Sequence, residues 1–110
     1  MIIAVTGASG FIGSNLIKDL QSQGHTIVSI DKENPYNYDT FYDWEYLNFG
    51  IFSNVEFVFH LGANSDTRAS FDDLYKSNVV FSDNLLKHCK EYKVPVVFAS
   101  SGAVYGHHRK

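Results

Sequence analysis

Apolar runs and amphipathic stretches alternate along this chain of 110 residues. Residues 2–6 form a continuous, largely apolar run, which predicts a strand that is buried on both faces. Apolar side chains recur at helical spacing over residues 11–23, and Gly24 follows at a position typical of a helix end. The β-branched run 26–30 predicts a second strand, which ends at Asp31.

The second half of the chain continues this alternation. Residues 33–42 are polar and aromatic and predict a loop, and a short third strand is expected over 44–49. Further strands are predicted over 55–61 and 95–100, the last of which begins at a proline, where proline is tolerated. A long helix is predicted over 71–92, with one stripe formed by Leu74, Asn78, Phe81, Leu85 and Cys89.

This order of elements is typical of an α/β fold with a parallel, doubly wound sheet. We expect right-handed crossovers, a strand order of 3-2-1-4-5, and a ligand over the carboxyl ends of the strands, between strands 1 and 4. Only residues 33–54 connect the second strand to the fourth. These residues must hold a strand and any crossover helix, and a full βαβ crossover needs at least about 10–12 residues including its helix, so the third unit is expected to be trimmed.

Composition narrows the classes of function. Hydrophobic residues make up 45% of the chain, enough for one domain with its own core. The net charge of −3 gives no basic surface for nucleic acid, and no apolar run approaches the ~20 residues that span a bilayer. The single cysteine, Cys89, excludes an internal disulfide and fits a reducing compartment, so we expect a cytoplasmic protein with a buried, apolar Cys89.

The glycine turn, residues 7–13, connects the first strand to the first helix and carries the main functional signal. Gly7 permits the tight turn, Gly10 lets the backbone approach a pyrophosphate, and Gly13 lets the helix pack close to the sheet. The helix N-terminus offers N–H groups and a positive dipole end to phosphates. The alternative is an ordinary strand-turn-helix whose glycines serve packing alone. The other candidate cofactor-binding residues in this turn are Ser9, Phe11 and Ile12.

Asp31 ends the second strand, about twenty residues after the turn, where dinucleotide-binding folds place an acid. Its carboxylate would accept hydrogen bonds from the adenosine ribose and repel a 2′-phosphate, which favours NAD over NADP. Lys32 beside it would soften that discrimination, so NADP remains possible. The alternative for Asp31 is a surface carboxylate at a strand end.

Four segments are predicted to end strands at one edge of the sheet: Gly7, Asp31, Leu61 to Ala63 with Gly62, and Ser100-Ser101. Small residues after the fourth strand would let a flat cofactor lie against backbone. His60 precedes them within an apolar strand, and we interpret it as a hydrogen-bonded structural residue rather than a base. We predict no metal site.

The Gly-x-x-Gly-x-x-Gly turn, the segment 58–64 (VFHLGAN) and the segment 98–106 (FASSGAVYG) resemble the extended short-chain dehydrogenases/reductases, the NAD-dependent epimerase/dehydratase family. The resemblance implies a Rossmann-type domain over residues 1–110 that binds NAD. It implies that Leu61, Gly62, Ala63, Asn78 and Ser100 lie near the cofactor, and that Ser101 hydrogen-bonds the substrate. Ser65 to Thr67 would then lie near the sugar of a nucleotide-sugar substrate.

The chain departs from that family at its catalytic pair. The family uses Tyr-x-x-x-Lys on the helix after the serine segment, and no tyrosine here has a lysine four residues later. Tyr105 is followed at that distance by Arg109, which cannot act as a titrating partner. We therefore expect a chain truncated before the catalytic helix, with no substrate domain.

These observations favour the dinucleotide-binding portion of a nucleotide-sugar epimerase/dehydratase that is inactive alone, and leave its sugar and its reaction open. The alternatives are a stand-alone NAD(P)-binding module without catalysis and a structural oligomer with a vestigial fold. Truncation would leave the fifth strand with a bare edge and expose apolar surface on the 71–92 helix. We therefore expect a homodimer or higher assembly through one of these surfaces.

Overall fold

The computed structural model describes residues 1–61, 79–100 and 103–105, with residues 99, 100 and 103–105 described by their backbone alone. The strands are β1 (Ile2–Thr6), β2 (Thr26–Asp31), β3 (Phe41–Asp43), β4 (Phe57–His60), β5 (Val96–Ser100) and β6 (Ala103–Tyr105). The helices are α1 (Phe11–Ser22) and α2 (Phe81–Tyr92), and two 3₁₀ helices span Trp44–Tyr46 and Phe49–Asn54.

The strands form one sheet in the order β3-β2-β1-β4-β5-β6. The first five are parallel, which confirms the predicted strand order and the Rossmann-type fold class. β1 lies between β2 and β4, so that Thr6 is level with Ile30 on one side and His60 on the other.

Both faces of the sheet are covered, as the unbroken apolar run of β1 predicted. Ala4 faces a core cluster that includes Phe52, Val58 and Leu85, all of them fully buried. Val5 faces the opposite cluster, which is built around α1. Since successive side chains of a strand point to opposite faces, β1 contributes to both cores.

α1 begins and ends close to its predicted bounds. Its last turn is closed by hydrogen bonds from the Gly24 N–H to the Gln21 carbonyl (3.0 Å) and from the His25 N–H to the Leu20 carbonyl (3.1 Å). Gly24 has a φ of +90°, a conformation that glycine adopts without strain. The glycine predicted to end this helix therefore does so.

The connection from β2 to β4 differs from the prediction. The third strand is Phe41–Asp43, which begins inside the predicted loop 33–42 and ends one residue after it, and the predicted strand 44–49 was wrong. Polar side chains explain the change, because Asp43 accepts from the Glu45 N–H and Asn48 accepts from the Gly50 N–H, which starts a 3₁₀ turn at each place. This connection holds no α-helix, so the third unit is trimmed as expected.

The far edge of the sheet also differs from the prediction. β6 pairs antiparallel with β5, with Ala103 level with Ser100 and Tyr105 level with Phe98. The expectation that nothing after the fifth strand could cover its edge was therefore wrong.

α2 buries the described part of its predicted stripe, which is Phe81, Leu85 and Cys89. On its outer face, Leu86 and Tyr92 have 40% and 37% of their surface exposed. Leu74 and Asn78 lie outside the described residues. In the described part of the chain, no helix combines the length and apolar character needed to cross a membrane. The predicted self-association remains a prediction.

Candidate dinucleotide-binding site

The glycine turn leaves β1 at the centre of the sheet. Gly7 has a φ of +70°, in the left-handed region that favours glycine, and its carbonyl accepts from the Gly10 N–H at 3.1 Å. The turn thereby reverses the chain within three residues. The reversal places the start of α1 above the carboxyl end of β1.

Gly13 lies where α1 crosses the backbone of this turn. A Cβ atom at Gly13 would overlap the carbonyl oxygen of Gly7 and would lie 3.0 Å from its carbonyl carbon and 3.2 Å from the Cα of Ala8. No side chain fits there without movement of the backbone. The structure thus gives Gly13 the close-packing role that the spacing predicted.

The N-terminus of α1 is open. Gly10 is its N-cap and provides no side-chain hydrogen bond, and the first turn holds no acidic residue. Phe11 and Ile12 extend outward, with 84% and 50% of their surface exposed. The N–H groups and the positive end of the helix dipole are therefore free of side-chain caps, as a phosphate site requires.

Asp31 lies beside the turn. One carboxylate oxygen accepts from the Ser9 N–H at 2.9 Å and the other from the Lys32 N–H at 2.7 Å. Both bonds come from backbone groups, so they fix the carboxylate without neutralising it. Asp31 is half-buried, whereas Lys32 is exposed.

The loop after β2 holds contacts to the turn that sequence reasoning missed. The Tyr38 hydroxyl donates to the Ala8 carbonyl at 2.7 Å, and the Ser9 hydroxyl donates to the Glu33 carbonyl at 2.6 Å. No periodicity marks either residue. The one available signal was the turn-forming Asn34, four residues before Tyr38.

His60 is hydrogen-bonded at both ring nitrogens, as predicted for a residue inside an apolar strand. Its Nδ1 lies 2.6 Å from the Thr6 hydroxyl and its Nε2 lies 2.7 Å from the Ser82 hydroxyl, so it connects β1, β4 and α2. Burial lowers the pKa of His60 to about 4, which keeps the ring neutral at physiological pH. The Leu61 N–H also donates to the Thr6 hydroxyl, at 2.9 Å.

The described candidate residues converge on one edge of the sheet. Since Thr6 is level with Ile30 and with His60, the residues that follow each of them, Gly7, Asp31 and Leu61, come out at the same edge. Ser100 ends β5, two residues beyond Phe98, which is level with His60. Gly62, Ala63, Asn78 and Ser101 lie outside the described residues, as do residues 65–67.

A family model, described as the NAD dependent epimerase/dehydratase family, matches residues 3–110. The chain belongs to this family. Two relatives whose alignments cover 96% of this chain are named ADP-L-glycero-D-manno-heptose-6-epimerase. The one from Cupriavidus pinatubonensis is 39% identical and the one from Alkalilimnicola ehrlichii is 35% identical.

Solved structures of family members superpose well on this chain. The structure of MoeE5 in complex with UDP-glucuronic acid and NAD has a TM-score of 0.79 at 31% identity, over 91% of this chain and 36% of that protein. UDP-glucose 4-epimerase from Thermotoga maritima, with UDP-glucose, has a TM-score of 0.75 at 31% identity, over 89% of this chain and 37% of that protein.

The chain is short relative to these family members. It spans 37% and 38% of the two heptose epimerases, a little over a third of their length.

Proposed function

We propose that this chain binds NAD and forms the dinucleotide-binding portion of an NAD-dependent nucleotide-sugar epimerase/dehydratase. The observation that carries the proposal is the assembly of the glycine turn, the open N-terminus of α1 and the Asp31 carboxylate at one sheet edge. The stand-alone binding module is not favoured, because relatives that match 96% of the chain are named epimerases.

The described residues fit the parts of NAD. The pyrophosphate would lie at Gly10 and the N-terminus of α1. Backbone N–H groups are available there, and Gly10 has no side chain to block the approach. The 2′- and 3′-hydroxyls of the adenosine ribose would donate to Asp31. The exposed Phe11 and Ile12 would cover the cofactor from the helix side.

The fixed Asp31 carboxylate supports a preference for NAD over NADP. A 2′-phosphate would approach two oxygens that backbone N–H groups hold in place, and the two negative charges would repel. Lys32 is exposed and adjacent, so the discrimination would be partial.

The remaining site residues are proposed from the resemblance to the family. Leu61, Gly62, Ala63, Asn78 and Ser100 would line the cofactor, and Ser101 would hydrogen-bond the sugar of the substrate. Bound NAD would supply a hydride acceptor for that sugar.

We expect no useful turnover from this chain alone, because it has no Tyr-x-x-x-Lys pair. A positioned acid/base contributes ~10²–10⁴-fold in rate, and orientation by a substrate pocket contributes further. A turnover assay with NAD and several nucleotide sugars tests this expectation. A clear rate would contradict it.

Calorimetric titration of the purified protein with NAD and NADP tests the binding proposal. We expect NAD to bind more tightly than NADP, and Asp31→Ala to weaken NAD binding by about tenfold, since a charged hydrogen-bond partner is lost. The matched control is Asp19→Ala, which removes an exposed carboxylate of α1 and should change neither affinity. A wild-type protein that binds neither dinucleotide would overturn the proposal.

A further inference from the structure

Three hydrogen bonds join the glycine turn to the end of β2 and to the loop that follows it. Tyr38 donates from its hydroxyl to the Ala8 carbonyl (2.7 Å), and Ser9 donates from its hydroxyl to the Glu33 carbonyl (2.6 Å) and from its N–H to Asp31 (2.9 Å). The Ala8 carbonyl and the Ser9 N–H belong to one planar peptide group. Tyr38 therefore holds one end of the group whose other end holds the Asp31 carboxylate.

Tyr38 is itself held in place. The Asn34 side chain accepts from the Tyr38 N–H at 2.8 Å and donates to the Tyr38 carbonyl at 3.2 Å, which closes a turn over residues 34–38. The Tyr38 ring packs against the core cluster that contains Ile3, Val5 and Ile17. The hydroxyl thus reaches Ala8 from a fixed backbone and a fixed ring.

The Tyr38 hydroxyl also keeps its proton. Burial, followed by the charges of Tyr36 and Asp31, raises the pKa of Tyr38 above its ordinary value. The hydroxyl is therefore a donor to the Ala8 carbonyl at any physiological pH.

We propose that Tyr38 is a positioning residue for dinucleotide selectivity, which acts through the Ala8–Ser9 peptide to fix the Asp31 carboxylate in the orientation that accepts a ribose diol. This inference rests on the proposed function. Without the hydroxyl, the peptide loses its anchor at the Ala8 carbonyl, and the Ser9 N–H is held less firmly against Asp31. The carboxylate then loses its fixed orientation, and the hydrogen bonds to a ribose diol must order it at a cost in affinity.

NADP provides the internal comparison. Its 2′-phosphate replaces one hydroxyl of the diol, so its binding does not depend on a carboxylate aimed at both hydroxyls. A loosened Asp31 can turn away from the phosphate. Loss of the Tyr38 hydroxyl should therefore weaken NAD binding and leave NADP binding unchanged or improved.

The test compares Tyr38→Phe with the matched control Tyr36→Phe by calorimetric titration with NAD and NADP. Tyr36 lies in the same loop with 56% of its surface exposed. We expect Tyr38→Phe to reduce NAD affinity about five-fold, the value of one net hydrogen bond, and to reduce the NAD/NADP affinity ratio at least as much. Tyr36→Phe should leave the ratio at the wild-type value.

The affinity ratio separates positioning from a structural defect, because a smaller folded fraction lowers both apparent affinities equally. A double-variant cycle locates the effect: in an Asp31→Ala background, Tyr38→Phe should change neither affinity further. Asn34→Ala, which releases the Tyr38 backbone, should also lower the NAD/NADP affinity ratio. It replaces Tyr38→Phe as the test if that variant folds poorly.

Two results would overturn the inference while the proposed function stands: an unchanged ratio in Tyr38→Phe, or an equal effect of Tyr38→Phe with and without Asp31. If the wild-type protein binds neither dinucleotide, the proposed function fails and the inference fails with it.

Discussion

The close contact between Gly13 and the glycine turn can be tested by a single substitution. Gly13→Ala adds a methyl group that overlaps the Gly7 carbonyl, and backbone on both sides must move to admit it. We expect a loss of about 1–3 kcal/mol in the free energy of unfolding, the range for overpacked positions, together with weaker NAD binding. Chemical denaturation measures the first quantity and calorimetry the second.

The control for Gly13→Ala is Lys18→Ala, on the exposed face of the same helix. It should change the stability by less than about 0.5 kcal/mol, as surface substitutions do. If Gly13→Ala were as stable as this control, the close approach of α1 to the glycine turn would be disproved.

His60 makes stability depend on pH. Its pKa is about 4 in the folded protein, below the ordinary 6.5, because the buried ring resists protonation. Below pH 6.5 the unfolded chain takes up a proton that the folded protein does not, so stability is lost as the pH falls from about 6.5 towards 4. The loss should reach a few kcal/mol, since one pKa unit corresponds to about 1.4 kcal/mol.

Denaturation at several pH values between 7.5 and 4.5 measures this loss. His60→Gln should be less stable at neutral pH but lose less stability on acidification than the wild type. The control is His25→Gln, in the turn after α1. This variant should keep the loss of unfolding free energy on acidification that is due to His60. Equal slopes in the wild type and His60→Gln would contradict the role of burial.

The conformation of the glycine turn and the place of Asp31 could be predicted because each has a local cause. Gly7 and Gly13 are required by backbone geometry, and Asp31 lies at the end of a clear β-branched run. Tyr38 could not be predicted, because its role depends on a contact across thirty residues between two loops. Such contacts leave no periodic trace in the sequence.

At the scale of elements, the strands and helices with a strong apolar pattern were predicted, and the connection from β2 to β4 was not. The aromatic residues of this connection predict a strand over 44–49, but Asp43 and Asn48 cap successive 3₁₀ turns there. Phe52 then fills the space beneath α2, where a longer crossover would place a helix. Local side-chain capping outweighed β propensity in this stretch.

Phe52→Ala measures how much the short connection from β2 to β4 contributes to the free energy of unfolding. Phe52 is fully buried, and its ring stacks on Phe49 with the ring centroids 5.9 Å apart. We expect its truncation to cost about 3–5 kcal/mol of unfolding free energy, the range for a phenylalanine in a core. Chemical denaturation is the measurement.

Phe11→Ala is the matched control, because Phe11 is 84% exposed at the start of α1. It should leave stability nearly unchanged while weakening NAD binding. A loss of stability in Phe52→Ala as small as the one expected for Phe11→Ala would show that the 3₁₀ segment is not part of the core.

At the scale of the whole molecule, the prediction of self-association has lost one of its two grounds. β6 covers the edge of β5, while α2 still exposes Leu86 and Tyr92. We therefore expect association through α2, and Leu86→Lys should abolish it by placing a charge in an apolar contact. Size-exclusion chromatography with light scattering measures the mass, and a wild-type monomer would contradict the prediction.

Cys89 is the single cysteine of the chain and lies on the buried face of α2, almost fully inaccessible to solvent. Burial raises the pKa of its thiol to about 11, so an alkylating reagent at neutral pH meets neither an accessible sulfur nor a thiolate in the native fold. Labelling must then wait for α2 to detach from the sheet. The rate of thiol modification consequently reports the opening of this half of the protein directly, with no engineered label and no background from other cysteines.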